Sequence, residues 1–360
     1  MKKLVALLLA VLMVGALVLT GCAAQEKYEI ALITDVGNID DHSFNQASWE
    51  GTKAYAEDNN KTYAYYRPTE DSTNARVDAI NAAIDKGAKV IVCPGYLFEE
   101  TIYAVQDQHP DIQFLLLDGE PHDADYNYST SSNVHCILYR EEQAGYLAGY
   151  AAVKDGYTQL GFLGGMAVPA VVRYGYGYVQ GADDAAKEMG ITDQVSVKYW
   201  YSGVFAPNDD IKTKMSGWYT SGTEVVFSCG GGIYLSAIAA AEASDGGKVI
   251  GVDVDQASES PLIITSAMKE LSTSVIIALT DLYDNGGKWS ADYAGTTDVL
   301  GAAEDCVGLP TAADSWRFDT FTVEEYNALF DKVKNGEVEI SNQSDPEVTP
   351  EVDITVDYQK

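Results

Sequence analysis

Three aspartates occupy equivalent places at the ends of short apolar runs. Asp35 follows Ile-Ala-Leu-Ile-Thr, Asp118 follows Phe-Leu-Leu-Leu, and Asp253 follows Val-Ile-Gly-Val. Such runs predict parallel strands, and ligands of open α/β sheets bind where the carboxyl ends of the strands meet. A carboxylate accepts hydrogen bonds from two neighbouring hydroxyls, so the set predicts a site for a sugar or a ribose. Each aspartate taken alone could instead cap the following turn or helix.

Aromatic, glycine and basic residues lie near the same strand ends. Phe44 and Asn45 stand side by side in one such loop, and Phe205 stands in another. Two rings can hold a flat group such as a base between them, although a single phenylalanine more often fills a core. Gly231 belongs to a triple glycine at a further strand end. Lys269 is expected to start a helix, where either a ligand contact offsets the helix dipole or the lysine is solvated.

The tyrosine- and glycine-rich stretch 174–178 lies inside a helical pattern. We expect its glycines to allow close packing and its tyrosines to lie on the surface or at the rim of a cleft.

The sequence contains no arrangement typical of catalysis or metal binding. Its four histidines are not at metal-ligand spacing, and no phosphate-binding loop or nucleophile elbow follows a predicted strand. We therefore expect a binding protein without a cofactor and not an enzyme. Four cysteines form no Cys-x-x-Cys pair and are predicted to be small buried residues. They are Cys93, Cys136, Cys229 and Cys306.

Acidic side chains dominate the composition. Asp and Glu number 54 against 23 Lys and Arg, which gives a formal net charge of −31. Such a chain repels nucleic acid and anionic lipid, so we expect no nucleic-acid partner.

The N-terminal segment predicts export and lipid attachment. Lys2 and Lys3 precede an uncharged apolar run over 4–19, and Leu19-Thr20-Gly21-Cys22 follows. Because the run is shorter than the roughly 20 residues of a spanning helix, we expect a cleaved signal and not an uncleaved anchor helix. Cys22 would then become a lipidated N-terminus that holds the protein at the extracytoplasmic face of the cell membrane.

Strand and helix patterns alternate along the rest of the chain. This alternation predicts an α/β protein with two doubly wound lobes, each a parallel sheet with helices on both faces. We expect residues 28–138 and 255–290 to form the first lobe, and residues 139–254 and 291–342 the second. Residues 1–21 are the predicted signal peptide, 22–27 the lipidated N-terminus and linker, and 343–360 a loosely held acidic tail.

Four motifs follow one another along the chain. They are Thr34 to Gly37 with Asp40 to Gln46, Gly164-Gly165-Met166 with Pro169, Ile250 to Gln256, and Thr265 to Lys269. Together they resemble the basic membrane protein family, which contains the PnrA-like purine nucleoside-binding lipoproteins of ABC importers. The resemblance extends in order from about residue 28 to about residue 340.

The resemblance implies a type I periplasmic-binding-protein fold, with a purine nucleoside closed between two lobes on a three-strand hinge. It implies a monomer whose partners are the ABC permease and ATPase subunits. Its aromatic residues would stack on the base from opposite lobes. The implied ligand-binding residues are Asp35, Phe44, Asn45 and Phe205 for the base, and Asp118, Gly231, Asp253 and Lys269 for the ribose.

Two loops of the second lobe depart from the family pattern. Phe205 is followed by Ala206-Pro207-Asn208 in place of an Asp-Pro-x-Lys-like run, and the glycine-rich strand end reads Cys229 to Gly232 in place of Gly-Gly-Thr-Gly. Fold alone does not fix the ligand. A binding protein for another solute, such as a sugar or an autoinducer, and a ligand-sensing subunit therefore remain alternatives. A nucleoside-processing enzyme is a third, although it would need a nucleophile or metal.

Overall fold

The structure is a computed structural model that describes residues 27–360. The predicted signal peptide and the lipidation site at Cys22 lie outside the described residues. Between residues 27 and 360, no helix combines the length and apolar character that crossing a bilayer requires.

The first sheet has six parallel strands in the order β11-β5-β4-β3-β1-β2. The central strands are continuous apolar runs because helices cover both faces of the sheet. Its strands are β1 (Ile30–Ile33), β2 (Tyr63–Tyr66), β3 (Val90–Pro94), β4 (Gln113–Leu117), β5 (Val134–Tyr139) and β11 (Thr296–Leu300). Its helices are α1 (Phe44–Asp58), α2 (Thr73–Asp85), α3 (Glu99–Val105) and α8 (Leu271–Asp284).

The second sheet has seven strands in the order β12-β10-β9-β8-β6-β7-β13. Every pair is parallel except β10 with β12. Its strands are β6 (Gln159–Gly164), β7 (Ser196–Tyr201), β8 (Val225–Cys229), β9 (Lys248–Asp253), β10 (Ile263–Lys269), β12 (Val307–Gly308) and β13 (Thr355–Tyr358). Its helices are α4 (Glu141–Lys154), α5 (Pro169–Met189), α6 (Asp209–Thr220), α7 (Tyr234–Ala241) and α9 (Val323–Lys334).

Three short crossings join the lobes, at residues 139–141, 269–271 and 300–302. The first crossing is hydrogen-bonded to the third, and the second is hydrogen-bonded to the residue before β12. The Arg140 N–H donates to the Leu300 carbonyl at 2.8 Å, and the Glu270 N–H donates to the Cys306 carbonyl at 2.9 Å. The prediction of two α/β lobes on a multi-strand hinge is confirmed.

Two strands lie in the lobe opposite to the predicted one. Strand β10, expected in the first lobe, pairs with β9 of the second sheet, and only the helix after it, α8, packs against α1 of the first lobe. Strand β11, expected in the second lobe, pairs with β5 of the first sheet. The predicted division at residues 255–290 and 291–342 is therefore wrong, because periodicity reveals a strand but not the sheet that it joins.

The C-terminal segment is also more ordered than predicted. Strand β13 pairs in parallel with β7, and the Gln359 N–H donates to the Tyr199 carbonyl at 2.8 Å. Ile354 is buried, and the backbone N–H groups of Asp353 and Ile354 both donate to Asp183 Oδ1. The segment 343–360 is thus an edge strand with its lead-in and not a loose tail.

Helices α4 and α5 pack backbone to backbone. A side chain at Gly177 would overlap the backbone of Glu142, and one at Gly145 would overlap the backbone of Tyr174. The prediction of close packing at the glycines is confirmed. The prediction of a surface position for the tyrosines is wrong, because Tyr174, Tyr176 and Tyr178 are all buried. The predicted alternative, a place at a cleft, holds for Tyr174, which lines a cavity between the lobes. The four cysteines are free and buried, as predicted.

Candidate functional site

The carboxyl ends of the two sheets face each other across a cavity between the lobes. Clefts between domains are common places for small-molecule sites. Both lobes line it, and the eight ligand-binding residues predicted from the sequence are all among the lining residues. They are Asp35, Phe44, Asn45, Asp118, Phe205, Gly231, Asp253 and Lys269.

At one end, an aspartate is hydrogen-bonded to the first turn of α1. Asp35 follows β1, and its Oδ1 accepts the Gly37 N–H at 2.6 Å and Asn45 Nδ2 at 2.9 Å. Asp41 fixes the same turn, since it accepts the backbone N–H groups of Ser43, Asn45 and Gln46. Burial raises the pKa of Asp35 to about 6, although the hydrogen bonds that it accepts from Gly37 and Asn45 oppose the rise.

Two half-buried phenylalanine rings come from opposite lobes. Phe44 is the first residue of α1, and Phe205 lies in the loop after β7. The Gly232 N–H donates to the Phe205 carbonyl at 2.9 Å, and a Cβ at Gly230 would lie 3.0 Å from the Phe205 ring. The glycine-rich end of β8 therefore leaves the room that this ring occupies. Rings placed in this way can contact the faces of a flat ligand.

A buried cluster of charges forms another part of the lining. Lys269 Nζ lies 2.5 Å from Asp118 Oδ2, 3.2 Å from Glu141 Oε1 and 3.8 Å from Asp253 Oδ1. Burial alone would lower the pKa of Lys269, but the three carboxylates raise it well above its ordinary value. The lysine is therefore charged at neutral pH, and it is also 4.8 Å from the centre of the Phe44 ring.

The carboxylates of this cluster differ in their affinity for protons. Burial raises the pKa of Asp118 to about 7 against the attraction of Lys269, and burial also raises the pKa of Asp253. Burial would raise the pKa of Glu141 too, but Arg173 and Lys269 more than offset it and lower the pKa below its ordinary value. Among the three carboxylates around the lysine, Glu141 is the one whose pKa lies below its ordinary value.

Both strand-end aspartates of this cluster adopt left-handed backbone conformations, with φ of 56° at Asp118 and 67° at Asp253. Such conformations are uncommon outside glycine and cluster at functional sites. Asp118 Oδ1 is buried and has no hydrogen-bond partner among the described residues. A buried carboxylate oxygen without a donor is costly, so the cluster suits a ligand that supplies a hydroxyl.

Contacts across the cleft join the α1 loop to the loop after β9. Ser43 Oγ donates to Asp253 Oδ2 at 2.6 Å, and Gln256 Nε2 donates to the His42 carbonyl at 2.8 Å. His42 Nδ1 lies 3.2 Å from Glu259 Oε1. We call these three contacts the latch. They hold the two lobes together beside the cavity.

One predicted position differs in its local structure, and several lining or supporting residues were not predicted. Lys269 is the last residue of β10 and does not start a helix, because the strand continues to pair with β9 and β12. Sequence reasoning missed Glu141 and its partner Arg173, whose Nε lies 2.6 Å from Glu141 Oε2. Their only signal is the acidic pair at residues 141–142, one residue after a strand, and such a pair is also a common start for a helix.

A family model described as ABC transporter substrate-binding protein PnrA-like, named Bmp, matches residues 28–344. The chain is 28% identical over 307 residues to the ABC transporter nucleoside-binding protein BmpA of Lactococcus lactis, covering 76% of this chain and 83% of that protein. It is 27% identical over 314 residues to basic membrane protein B of Borreliella burgdorferi, covering 84% and 88%.

The fold is similar to that of solved solute-binding proteins. A solute-binding protein of an ABC transporter system from Aeropyrum pernix superposes with a TM-score of 0.74 at 23% identity, covering 89% of this chain and 95% of that one. The likeness supports the type I periplasmic-binding fold that the two sheets and three crossings display. The family match over most of the chain shows that this chain belongs to the Bmp family of PnrA-like ABC transporter substrate-binding proteins.

Proposed function

We propose that this chain binds a purine nucleoside between its lobes and delivers it to an ABC importer. The observation that carries the proposal is the division of the cavity lining into two chemistries. Phe44 and Phe205 offer ring faces from opposite lobes, whereas Asp118, Asp253 and Lys269 form a charged cluster. A nucleoside has the same division into a flat base and a hydroxyl-bearing sugar. The name of the Lactococcus lactis relative as nucleoside-binding agrees with this choice.

The calorimetric test compares inosine, guanosine, adenosine, their free bases and arabinose. Phe44→Ala or Phe205→Ala should weaken base and nucleoside alike, by roughly 1 to 3 kcal/mol, because stacking does not depend on the ribose. Asp253→Ala should weaken nucleosides by roughly 1.5 to 3 kcal/mol more than it weakens free bases, because only the ribose donates hydroxyls to Asp253. The loss of its contact with Ser43 across the cleft affects both kinds of ligand alike.

Two outcomes would contradict the proposal. Equal losses for base and nucleoside in Asp253→Ala would refute the ribose assignment. Binding of arabinose without binding of any purine would indicate that the ligand is a sugar, held by the charged cluster alone. Asp40→Asn is the matched control, because Asp40 is exposed in the same loop as Asp41 and does not line the cavity.

The chain is further proposed to act as a monomeric carrier that leaves its ligand chemically unchanged. Support comes from the family, whose description is a substrate-binding protein. Inosine recovered after long incubation with pure protein should be intact. Sustained release of hypoxanthine would indicate an enzyme instead.

Lipid anchoring at the extracytoplasmic face is also proposed, from the Leu-Thr-Gly-Cys box that ends at Cys22. The intact mass of the mature protein should correspond to an acylated chain that begins at Cys22. A mature N-terminus without lipid would rule this out.

A further inference from the structure

The turn after β4 holds Asp118 in an uncommon backbone conformation. Asp118 has φ of 56°, and its Oδ2 lies 2.5 Å from Lys269 Nζ. Its Oδ1 is buried at the cavity and has no donor within the described part of the chain. A left-handed backbone at a residue other than glycine is costly, and it persists only where the surrounding structure imposes it. The position of Asp118 therefore depends on the residues packed against this turn.

Glu99 packs against the turn from the neighbouring strand end. It is the first residue of α3, which follows β3, and β3 pairs with β4. Its side chain is buried, and its Oε1 accepts the Glu120 N–H at 2.8 Å. A Cβ at Gly119 would lie only 2.7 Å from Glu99 Cγ, so glycine is needed there for close packing. Glu99 thus fixes the two residues directly after Asp118.

The other oxygen of Glu99 holds the far end of the turn. Glu99 Oε2 lies 3.0 Å from His122 Nε2, and His122 Nδ1 lies 2.6 Å from the Asp123 carbonyl oxygen. Because a carbonyl only accepts hydrogen bonds, Nδ1 carries a hydrogen, and the contact between Nε2 and Oε2 then contains one proton. Both oxygens of Glu99 are therefore engaged by the segment 119–122, and Glu99 is not among the residues that line the cavity.

We propose that Glu99 is a positioning residue for the sugar of the ligand. It holds the turn after β4 so that Asp118 presents its free oxygen to a ligand hydroxyl. The inference rests on the proposed nucleoside function and adds to it a residue that lies behind the cavity lining. Asp35 and Phe44, which would face the base, belong to β1 and α1 and are held by other contacts. A base without its sugar therefore does not depend on Glu99.

The test is calorimetry of inosine and its free base, hypoxanthine, on the full mature chain at pH 7.5. Glu99→Ala removes both contacts with the turn. It should weaken inosine about tenfold or more relative to hypoxanthine, as expected for the loss of one hydrogen bond to a charged group. Glu100→Ala is the matched control, because Glu100 is the next residue of α3 and is exposed, and it should match the wild type.

Glu99→Gln separates positioning from an effect of charge. The glutamine oxygen can accept the Glu120 N–H, and one hydrogen of its amide can replace the proton shared with His122 Nε2. The variant should therefore keep the wild-type ratio of inosine and hypoxanthine affinities. A glutamine variant that loses inosine binding as the alanine variant does would show that the charge matters and would overturn the positioning role.

Gly119→Ala tests the same contact from the other side, and it serves if Glu99→Ala does not fold. The added methyl group meets the Glu99 side chain and should displace the turn, with the same preferential loss of inosine. In the double variant the methyl group occupies space that Glu99 has vacated, so the two losses should not add.

The two ligands distinguish failure of this inference from failure of the function on which it rests. Equal losses for inosine and hypoxanthine in Glu99→Ala and Gly119→Ala would mean that the first lobe is loosened as a whole, and would overturn the inference while leaving the nucleoside function intact. Absence of inosine binding by the wild type would refute the nucleoside function, and with it the role of Glu99.

Discussion

At the scale of single residues, the site depends on one buried ammonium placed among three carboxylates. Lys269 is 4% exposed, and Asp118, Glu141 and Asp253 surround its Nζ within 3.8 Å. Burying charges is costly unless they are paired, so these residues depend on one another. Removing the cation leaves the carboxylates to repel each other, while removing one carboxylate leaves the cation paired.

Lys269→Met should therefore lower the free energy of unfolding by about 3 to 5 kcal/mol at pH 8, the usual cost of breaking a buried pair. The loss should shrink as the pH falls to 5. Burial raises the pKa of Asp118 to about 7 although Lys269 lowers it, so removing Lys269 raises this pKa further. Between pH 8 and pH 5 the folded variant therefore binds more protons than the folded wild type and regains part of the lost stability.

Urea unfolding at pH 8 and pH 5 checks this result. Lys212→Met is the matched control, because Lys212 lies exposed on α6. A loss of the same size at both pH values would show that the destabilisation comes from packing and not from charge.

The sequence predicted the strand-end residues of this site but not the residues that support them. Asp35, Asp118 and Asp253 were predictable because each directly follows an apolar run. Glu141 follows Tyr139 and Arg140 at a crossing between the lobes, and Arg173 reaches it from α5, 32 residues away. Their pairing exists only because helices α4 and α5 pack closely, which no local pattern specifies.

At the scale of elements, the contact between α4 and α5 holds the charged cluster in place. Glu141 begins α4, and Arg173 lies in the second turn of α5. The helices approach closely because glycines face backbone across the contact, as Gly177 does at Glu142. The close contact explains why α4 and α5 contain several glycines, each of which would otherwise destabilise a helix interior by about 1 kcal/mol.

Gly177→Ala should therefore lower the free energy of unfolding by about 1 to 3 kcal/mol, since a methyl group there has no space and the helices must separate. Gly217→Ala in α6 is the matched control. A Cβ at Gly217 has no heavy atom within 4 Å, so this change should stabilise by up to about 1 kcal/mol through helix propensity. Urea denaturation measures both variants. Equal effects of the same sign would contradict the packing argument.

The elements also show where sequence patterns stop being informative. The βαβ alternation predicted the order of strands and helices, because a buried strand and an amphipathic helix have different periods. It could not assign β10 or β11 to a sheet. Both strands end at a crossing between the lobes, and the pattern gives no reason to place either strand in a different lobe from its neighbours in the chain. Strand β13 has mostly exposed side chains, and it is defined by its backbone pairing to β7.

At the scale of the whole molecule, the two lobes present equivalent edges to the cavity. In sheet order, β4 and β9 occupy matching places and both end in a left-handed aspartate, Asp118 and Asp253. Strands β3 and β8 also match, and the positive-φ glycines Gly95 and Gly230 follow them. The equivalence breaks after β1 and β6. The first lobe places Asp35 there, whereas the second places Gly165.

This difference gives the lobes distinct roles. A side chain at Gly165 would overlap the Phe205 ring, so the second lobe holds a ring where the first holds a carboxylate. A ligand that bridges the lobes would contact both sets only when the lobes are closed. We therefore expect a two-state equilibrium between open and closed forms, in which a bridging ligand and the latch both favour closure.

Ser43→Ala should shift this equilibrium towards the open form. The Ser43 hydroxyl donates to Asp253 across the cleft at 2.6 Å, and hydrogen bonds to charged groups contribute about 1.5 to 3 kcal/mol. The ligand-free variant should have a larger radius of gyration in solution scattering than the ligand-free wild type. Its inosine complex should dissociate faster, because the latch no longer holds the cleft shut around the ligand. Association should be no slower than in the wild type, because the open form is the one that admits the ligand.

Ser48→Ala is the control for this prediction. Ser48 lies in α1, which starts directly after Ser43, and its hydroxyl donates to the Phe44 carbonyl of the same helix and not across the cleft. Stopped-flow measurement of both rate constants, together with scattering profiles with and without inosine, separates the possible outcomes. A change confined to the association rate would mean that Ser43 guides entry and does not hold the cleft shut. An unchanged radius of gyration and unchanged rates would mean that the hinge crossings, and not the latch, set the balance between open and closed forms.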